Sequence, residues 1–290
     1  MPTSQGDRQA GANPDMASER VAQEGWSRPR DRSAPLVIAH RGASAAEPEN
    51  SLAAFVRARV DGADGVELDV LQCATGEVVV FHDDDLARLG GRADRIAKLT
   101  LAELRAVRLL SGASIPTLEE ALEACGDTLL VNVELKASGL NGDRIAALVD
   151  AVAALIDRAG ARTAARILIS SFSPRAVHRW RRRSPGVRTG LLFERDTPLP
   201  LRKAWALPWL APFAAHPERV LCTAGAVAGW HRRGYRVHVW TVDEPAELRR
   251  LAALGVDGII TNHPARSRHI LDTYLGDHSG SPRSFPDEAG

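Results

Sequence analysis

The chain has 290 residues, of which 44% are hydrophobic and 25% are charged, and its formal net charge at pH 7 is +1. These values are ordinary for a globular protein, and the near-zero charge gives no reason to expect nucleic acid as a partner. The three cysteines lie far apart, which fits a reducing compartment and gives no zinc motif. Because no apolar run is long enough for a membrane span or a signal peptide, we expect a soluble, cytoplasmic protein without stable membrane insertion.

The two ends of the chain differ in composition from its middle. Residues 1–33 are rich in Ser, Gly, Pro, Asp and Arg and, apart from Trp26, offer little apolar surface to bury. We predict that they form a disordered leader and that residues 276–290 form a flexible tail. The folded part should be a single domain over residues 34–275.

Between these ends, strand and helix patterns alternate. A short apolar strand at 36–39 is followed by a helix at 50–60, whose predicted buried face holds Leu52, Phe55, Val56 and Ala58. Further strands are predicted at 65–70, 77–81, 128–135, 166–171, 187–193, 219–222, 235–242 and 257–261. Further helices are predicted near 100–108 and at 117–125, 142–159, 174–183, 201–210, 224–233 and 246–254.

This alternation predicts βαβ units and a parallel sheet. If 77–81 is a hairpin return from the strand before it, eight strands remain. Eight βα units in about 240 residues match a (β/α)8 TIM barrel. A doubly wound sheet is the alternative, but its first turn usually carries the pattern GxGxxG, whereas this chain has HRGAS at 40–44.

Two acidic residues lie on the strand at 65–70. Since side chains alternate along a strand, Glu67 and Asp69 share one face and the apolar residues between them share the other. Neighbouring carboxylates on a buried strand repel each other and are costly to desolvate, and a bound cation removes both costs. For this stretch alone, two acids at a solvated strand end are the alternative interpretation.

Other polar residues follow the ends of the predicted strands, where the active sites of TIM barrels lie. Glu134 and Lys136 close the strand at 128–135 and share a face with Asn132. The other residues of this kind are His40, Arg41, His82, Trp240, Thr241, Asp243, Asn262 and His263. Stability alone hardly explains such a succession, which therefore predicts a functional site at one rim of the barrel.

Three carboxylates from two strands, those of Glu67, Asp69 and Glu134, would offer oxygen ligands to a cation. Oxygen ligands suit hard divalent cations, so Mg²⁺ or Ca²⁺ is expected. Zinc is less expected because no cysteine accompanies the acids.

Cationic side chains stand beside these acids. Arg41 and Lys136 next to a bound cation make sense if an anion fits between them, and phosphate is the natural candidate. His40 and His82 titrate near neutrality and could move protons to and from reacting oxygens. Together these residue types indicate the hydrolysis of a phosphate ester.

Nine motifs occur in order along the folded part. They are HRGAS (40–44), EPENSLAAF (47–55), GADGVELDV (62–70), VVFHD (79–83), IPTLEE (115–120), NVELK (132–136), SFS (171–173), VWTVD (239–243) and GVDGIITNHP (255–264). This ordered set resembles the glycerophosphodiester phosphodiesterase family. The resemblance implies a TIM-barrel hydrolase that cleaves small-molecule glycerophosphodiesters to glycerol 3-phosphate and an alcohol, with Mg²⁺ or Ca²⁺ as its cofactor.

The resemblance also implies the residues that carry out the reaction. Glu67, Asp69 and Glu134 would be the metal ligands. His40 and His82 would be the catalytic acid/base pair.

Further residues would bind the substrate or support the site. By the same resemblance, Arg41 and Lys136 hold the phosphate, and Trp240 forms an apolar wall for the glycerol or the alcohol. Glu49 and Asn50 open the helix directly after the His40 loop and would support the residues that bind metal and phosphate.

The chain departs from the family pattern at four places. Ser51 stands where the family usually has Thr, Asp243 where Asn is usual, and Asn262 where Asp is usual. Neither of the last two changes removes a metal ligand, but both should alter hydrogen bonds near the rim. The stretch between His82 and Pro116 is short, which predicts a comparatively open pocket.

Alternative functions follow from the same residues. Residues 201–213 combine two Trp and a Phe with Arg and Lys, which would suit weak contact with a lipid interface, although an outer helix and loop is the ordinary interpretation. The second candidate function is a phospholipase, of D type or of a cyclising C type, that acts on intact phospholipid or lysophospholipid on the same barrel. A catalytically inactive phosphate-ester-binding protein is the third, and the complete set of site residues argues against it.

Overall fold

The computed structural model describes residues 25–27, 34–196 and 206–277. Within these ranges the strands are β1 (Leu36–His40), β2 (Gly65–Gln72), β3 (Val78–Val80), β4 (Leu130–Leu135), β5 (Ile167–Ser171), β6 (Arg188–Phe193), β7 (Ala214–Pro217), β8 (Arg236–Val239) and β9 (Gly258–Thr261). The helices are α1 (Leu52–Val60), α2 (Ala87–Gly90), α3 (Leu101–Ala106), α4 (Leu118–Cys125), α5 (Gly142–Ala159), α6 (Ala161–Arg166), α7 (Pro174–Arg183), α8 (Ala206–Leu210), α9 (Ala224–Arg232), α10 (Pro245–Ala253) and α11 (Pro264–Asp277).

Eight of the strands form a closed parallel barrel. The sheet runs β1-β9-β8-β7-β6-β5-β4-β2, and pairing of β1 with β2 closes it. The remaining strand, β3, pairs antiparallel with β2 as the predicted hairpin return. The prediction of a TIM barrel is confirmed, and the barrel brings the carboxyl ends of all eight parallel strands to one rim.

The two faces of each strand have different surroundings. The outward residues of β2, which are Val66, Leu68 and Val70, are fully buried against α1, α4 and α5 in the largest apolar cluster. A smaller cluster, built partly from Ile38, Leu130 and Leu168, lies inside the barrel. On β1, β4 and β5 the inward face changes from apolar to polar on the way to the rim, and this change places polar side chains at the site.

Trp26 corrects the predicted leader. Gly25–Ser27 forms a short 3-10 helix, and the Trp26 side chain is 1% exposed, packed inside the barrel beside Leu36 and Ala214. Its indole Nε1 donates a hydrogen bond to the carbonyl oxygen of Arg166. A single large aromatic group can bury enough area to order a short segment that composition predicts as disordered.

The seventh barrel strand was predicted at the wrong place. Residues 219–222 contain Arg219–Leu221 as a 3-10 helix, whereas the strand is β7, at Ala214–Pro217. The sequence Ala-Ala-His-Pro has no β-branched residue and ends in Pro, so propensity argues against a strand. Pairing with β6 and β8 in the closed barrel outweighs that propensity.

The buried face of α1 also differs from the prediction. Leu52 and Val56 are 38% and 41% exposed, and the buried residues are Ala54, Phe55 and Ala58. The loop that follows β1 packs against this face of the helix, and the Ala54 carbonyl oxygen accepts a hydrogen bond from the Ala43 backbone N–H.

Some predictions fall outside the described residues. These are most of the predicted leader, most of the predicted tail, and residues 201–205 of the 201–213 segment. At the tail, α11 extends to Asp277, two residues beyond the predicted end of the folded domain. Among the described residues, the helices are all too short or too polar to cross a membrane.

Two histidines lie inside the barrel. His216 and His238 are fully buried, their ring centroids are 4.9 Å apart, and their four ring nitrogens make no hydrogen bond to any other described residue. A Cβ on Gly190 would lie 2.6 Å from His216, and one on Gly258 would lie 2.9 Å from His238, so glycine makes room for both rings. Burial lowers the pKa of His216 well below its usual range and lowers the pKa of His238 to about 4.

The buried histidines predict a loss of stability in mild acid. Because the pKa of His238 is lowered on folding, its contribution is complete above the unfolded pKa near 6.5 and is lost as the pH falls towards 4. The shift corresponds to about 3 kcal/mol. Urea unfolding of His238→Gln should show a weaker dependence on pH between 6.5 and 4 than the unchanged protein. Equal slopes in the two proteins would contradict a neutral, buried His238.

Candidate active site

Seven of the ten predicted site residues line one cavity of about 550 Å³ at the carboxyl rim. They are His40, Arg41, Glu67, His82, Glu134, Lys136 and Trp240. The other three are Glu49, Asn50 and Asp69, which do not line the cavity but contact the lining residues through the hydrogen bonds and ion pairs described below. Parallel strands in one barrel bring together residues that lie 200 positions apart in the chain.

The three predicted metal ligands form a buried cluster. One carboxylate oxygen from each of Glu67, Asp69 and Glu134 lies within 4.8 Å of the others, and all three side chains are buried. β2 and β4 pair in a register that sets Asp69 beside Glu134, and Glu67 lies two residues earlier on the same face. Strand pairing therefore fixes the spacing of the acids.

The cluster holds more negative charge than its surroundings neutralise. Burial, together with the charges of Asp69 and Glu134, raises the pKa of Glu67 well above its usual range. Burial raises the pKa of Glu134 to about 7 even though Lys136 opposes the change. Glu67 Oε1 is buried and makes no hydrogen bond within the described residues.

Two side-chain cations partly neutralise these acids. Lys136 Nζ lies 2.9 Å from Glu134 Oε1 and 3.4 Å from Asp69 Oδ1. Arg41 Nε lies 3.2 Å from Asp69 Oδ2 without making a hydrogen bond. Burial would lower the pKa of Lys136, but the neighbouring carboxylates outweigh it and raise the pKa. Both cations therefore stay charged beside the acids.

The loop after β1 fits closely over the cluster. Arg41 and Asn50 both adopt φ of 55°, in the left-handed region that few residues other than glycine occupy. The Asn50 amide donates a hydrogen bond to Asp69 Oδ2 at 2.9 Å, and the Arg41 backbone N–H donates one to Glu67 Oε2 at 3.1 Å. A residue other than glycine in this backbone conformation costs free energy, and the contacts to the acids offset that cost.

A network of ion pairs supports this loop from outside. Glu49 accepts hydrogen bonds from Arg41 at 2.8 Å and from Arg88 at 2.8 and 2.9 Å. Burial would raise the pKa of Glu49, but Arg88 and then Arg41 outweigh it and lower the pKa to about 2. Arg88 also donates to Asp83 at 2.7 Å, so it joins the His40 loop to the His82 loop.

The two histidines of the site have different partners. His40 Nδ1 lies 2.7 Å from the amide oxygen of Asn262. His82 Nδ1 lies 2.6 Å from the carboxylate of Asp83. Burial, and then the charge of Arg41, lowers the pKa of His40. Since both Nδ1 atoms are engaged, Nε2 is the nitrogen that each ring can offer to a ligand in the cavity.

An aromatic pair forms the wall of the cavity next to the strand ends. Trp240 packs edge-on against Phe172, with the ring centroids 5.4 Å apart. Its Nε1 donates a 2.8 Å hydrogen bond to the carbonyl oxygen of His216, which fixes the plane of the indole. Both rings line the cavity, so they offer a rigid apolar surface to a bound molecule.

Sequence reasoning missed the supporting residues. Asp83 ends the motif VVFHD, and its position directly after His82 is the only sequence signal for its role. Arg88 gave no signal because its contact with Glu49 spans 39 residues. Asp243 and Asn262 were singled out as departures, but the sequence did not show that they contact each other.

The residues present fit a divalent cation. Three carboxylates offer the hard oxygen ligands that Mg²⁺ and Ca²⁺ prefer. Burial and the neighbouring acids raise the pKa values of Glu67 and Glu134, and one Glu67 oxygen has no hydrogen-bond partner among the described residues. A divalent ion bound by Glu67, Asp69 and Glu134 would correct both features.

Comparisons with known proteins show the family to which the chain belongs. Residues 40–266 match the Glycerophosphoryl diester phosphodiesterase family. The chain is 33% identical over 242 residues to a glycerophosphodiester phosphodiesterase of Caldanaerobacter subterraneus, with 79% of this chain and 94% of that protein covered. It is similar in structure to an Oleispira antarctica phosphodiesterase in complex with the product sn-glycerol-3-phosphate, with a TM-score of 0.74 and 27% identity. That similarity covers 82% of this chain and 97% of the other.

The crowded acids predict how a cation changes thermal stability. Mg²⁺ should raise the melting temperature of the unchanged protein, because a ligand that binds only the folded state stabilises it. Glu67→Gln removes one charge and one ligand, so the variant should melt no lower than the unchanged protein in EDTA and should gain little from Mg²⁺. Thermal denaturation by circular dichroism measures both effects.

The matched control is Glu194→Gln, since Glu194 lines the same cavity outside the three-acid cluster. It should keep the full response to Mg²⁺. An equal Mg²⁺ response in Glu67→Gln and in the unchanged protein would contradict the assignment of the metal site.

Proposed function

The chain belongs to the glycerophosphoryl diester phosphodiesterase family, and we propose that it hydrolyses glycerophosphodiesters to sn-glycerol 3-phosphate and an alcohol with the help of a divalent cation. The observation that carries this proposal is the buried cluster of three acids, which lies beside two cations and two histidines in one cavity. The relative from Oleispira antarctica, described in complex with sn-glycerol-3-phosphate, supports the choice of product.

The anionic diester would bind between the cation and two positively charged side chains. The cation, when bound by Glu67, Asp69 and Glu134, would polarise a phosphoryl oxygen and neutralise charge that develops on the phosphate. Arg41 and Lys136 lie at the edge of the same acids, where they can pair with the other phosphate oxygens. Lys136 pairs with two of these carboxylates, so a cation bound to them would release its ammonium group to pair with the phosphate.

Proton transfer falls to the two histidines. The phosphate ester is cleaved when an oxygen attacks phosphorus and the alcohol oxygen leaves. One histidine removes the proton from the attacking hydroxyl, and the other donates a proton to the departing oxygen. His40 and His82 both line the cavity and both have Nδ1 engaged elsewhere, which suits them to this exchange through Nε2.

The volume and the lining of the cavity support a small substrate with an apolar part. A volume of about 550 Å³ suits a small ligand. Trp240 and Phe172 offer an apolar wall against which the glycerol or the alcohol can pack. Hydrolysis in the cytoplasm, which the composition suggests, belongs to the same proposal.

A direct assay tests this function. The protein should release sn-glycerol 3-phosphate from glycerophosphocholine with Mg²⁺ or Ca²⁺, and EDTA should abolish the release. Glu67→Gln should lower kcat/KM more than about a hundredfold, since loss of a charged ligand removes several kcal/mol of charge stabilisation. Coupled detection of sn-glycerol 3-phosphate provides the rate.

Glu119→Gln is the control, because Glu119 is an exposed acid on α4, and its activity should match that of the unchanged protein. Release of a cyclic phosphate, or activity on phospholipid vesicles alone, would replace the proposal with the phospholipase alternative. No turnover of any phosphodiester by folded protein that binds Mg²⁺ would contradict both.

A further inference from the structure

A line of three side chains runs from the cavity along the rim of the barrel. His40 Nδ1 lies 2.7 Å from Asn262 Oδ1, and Asn262 Nδ2 lies 2.6 Å from Asp243 Oδ2. Asp243 follows β8 and Asn262 follows β9, so the line crosses the rim between the last two strands and β1. All three residues therefore stay in place as long as the barrel is closed.

Asp243 fixes which way the Asn262 amide faces. A carboxylate only accepts hydrogen bonds, so the NH₂ end of the amide must be the end that faces it. Asp243 Oδ1 also accepts the Asn262 backbone N–H at 2.8 Å and the Thr261 hydroxyl at 3.0 Å. The carboxylate is thus held from three sides and cannot turn away from the amide.

The amide orientation in turn fixes the tautomer of His40. With its NH₂ end on Asp243, Asn262 presents its oxygen to His40 Nδ1 and to the Ser44 hydroxyl, which donates at 2.9 Å. An amide oxygen only accepts, so Nδ1 must carry the proton. A neutral imidazole has one N–H, and the lone pair of His40 therefore lies on Nε2, the nitrogen left to the cavity.

We propose that Asp243 and Asn262 are positioning residues that hold His40 in the Nδ1–H tautomer, so that His40 Nε2 accepts the proton from the attacking hydroxyl and His82 donates the proton to the leaving oxygen. This assignment rests on the proposed function, since it assigns roles within that hydrolysis. It extends the function because it names two residues outside the cavity lining and decides which histidine accepts and which donates.

The partner of His82 supports the second half of the assignment. Its Nδ1 faces the carboxylate of Asp83 at 2.6 Å, and that carboxylate is held by Arg88. A carboxylate stabilises an imidazolium ion more than an amide does, because its charge is opposite. The two histidines thus differ in the partner of Nδ1, which is a neutral amide for His40 and a charged acid for His82.

The proton balance closes with this assignment. His40 Nε2 takes the hydroxyl proton as the attacking oxygen forms its bond to phosphorus. The bond between phosphorus and the alcohol oxygen breaks, and that oxygen takes the Nε2 proton of His82. His40 ends protonated and His82 neutral, and exchange with water restores the starting state.

The test is histidine ¹⁵N NMR on the full chain loaded with Mg²⁺, together with steady-state kinetics on glycerophosphocholine. His40→Asn identifies the His40 signals by their loss. In the unchanged protein, His40 should show the Nδ1–H tautomer. Asp243→Asn removes the acceptor that orients the amide, so His40 should become a mixture of tautomers and kcat should fall about tenfold or more, with KM changed less than about threefold.

The double variant Asp243→Asn/Asn262→Asp should reverse this loss. It again places an acceptor against His40 Nδ1 and a donor behind that acceptor, so the Nδ1–H tautomer and most of kcat should return. Thr261→Val is the matched control, since it removes a hydrogen bond to Asp243 Oδ1 without removing the acceptor for the amide. It should lower the melting temperature and leave the His40 tautomer unchanged.

Several outcomes would overturn the inference while leaving the hydrolysis intact. They are an Nε2–H tautomer of His40 in the unchanged protein, a normal kcat in Asp243→Asn, and an unrestored tautomer in the folded double variant. Absence of hydrolysis by the unchanged protein would defeat the proposed function and, with it, the roles assigned to the histidines. The NMR and kinetic readouts therefore separate the two failures.

Discussion

The buried negative charge of three carboxylates is the constraint on which the rest of the site depends. Strand pairing brings Glu67, Asp69 and Glu134 within 4.8 Å of one another, and all three side chains are buried. Such a cluster is stable only when positive charge compensates it. Lys136 and Arg41 supply part of that charge, and the raised pKa values of Glu67 and Glu134 show that they do not supply all of it.

The surrounding structure holds this charge in place from several sides. Below it, Trp26 and the apolar cluster close the barrel interior, and two neutral histidines fill the space between. Above it, Asn50 and the Arg41 backbone bind the acids directly. At the rim, Glu49 and Arg88 join the two loops that carry His40 and His82. Most of these contacts are hydrogen bonds in which at least one partner is charged, and such bonds are stronger than neutral ones. The exception is His40, whose partner is the neutral amide of Asn262.

Sequence patterns predicted the parts of this architecture that repeat. The alternation of strands and helices gave the barrel, and alternation within β2 and β4 gave the shared face of the acids. Sequence patterns fail where tertiary contacts outweigh local preference. β7 forms from residues of low strand propensity, and Trp26 orders a short segment of polar composition. The contacts of Arg88 with Glu49 and of Asn262 with His40 link distant parts of the chain, and no local pattern encodes such pairs.

The central claim is that the three-acid cluster exists to bind a divalent cation. The most direct test is a crystal structure of the protein grown with Mn²⁺, using the anomalous scattering of the ion to locate it. The account predicts one strong anomalous peak within bonding distance of oxygens from Glu67, Asp69 and Glu134, with the ammonium of Lys136 no longer paired to both Asp69 and Glu134. Well-ordered carboxylates without a peak between them, still paired with Lys136 and Arg41 at saturating Mn²⁺, would contradict it.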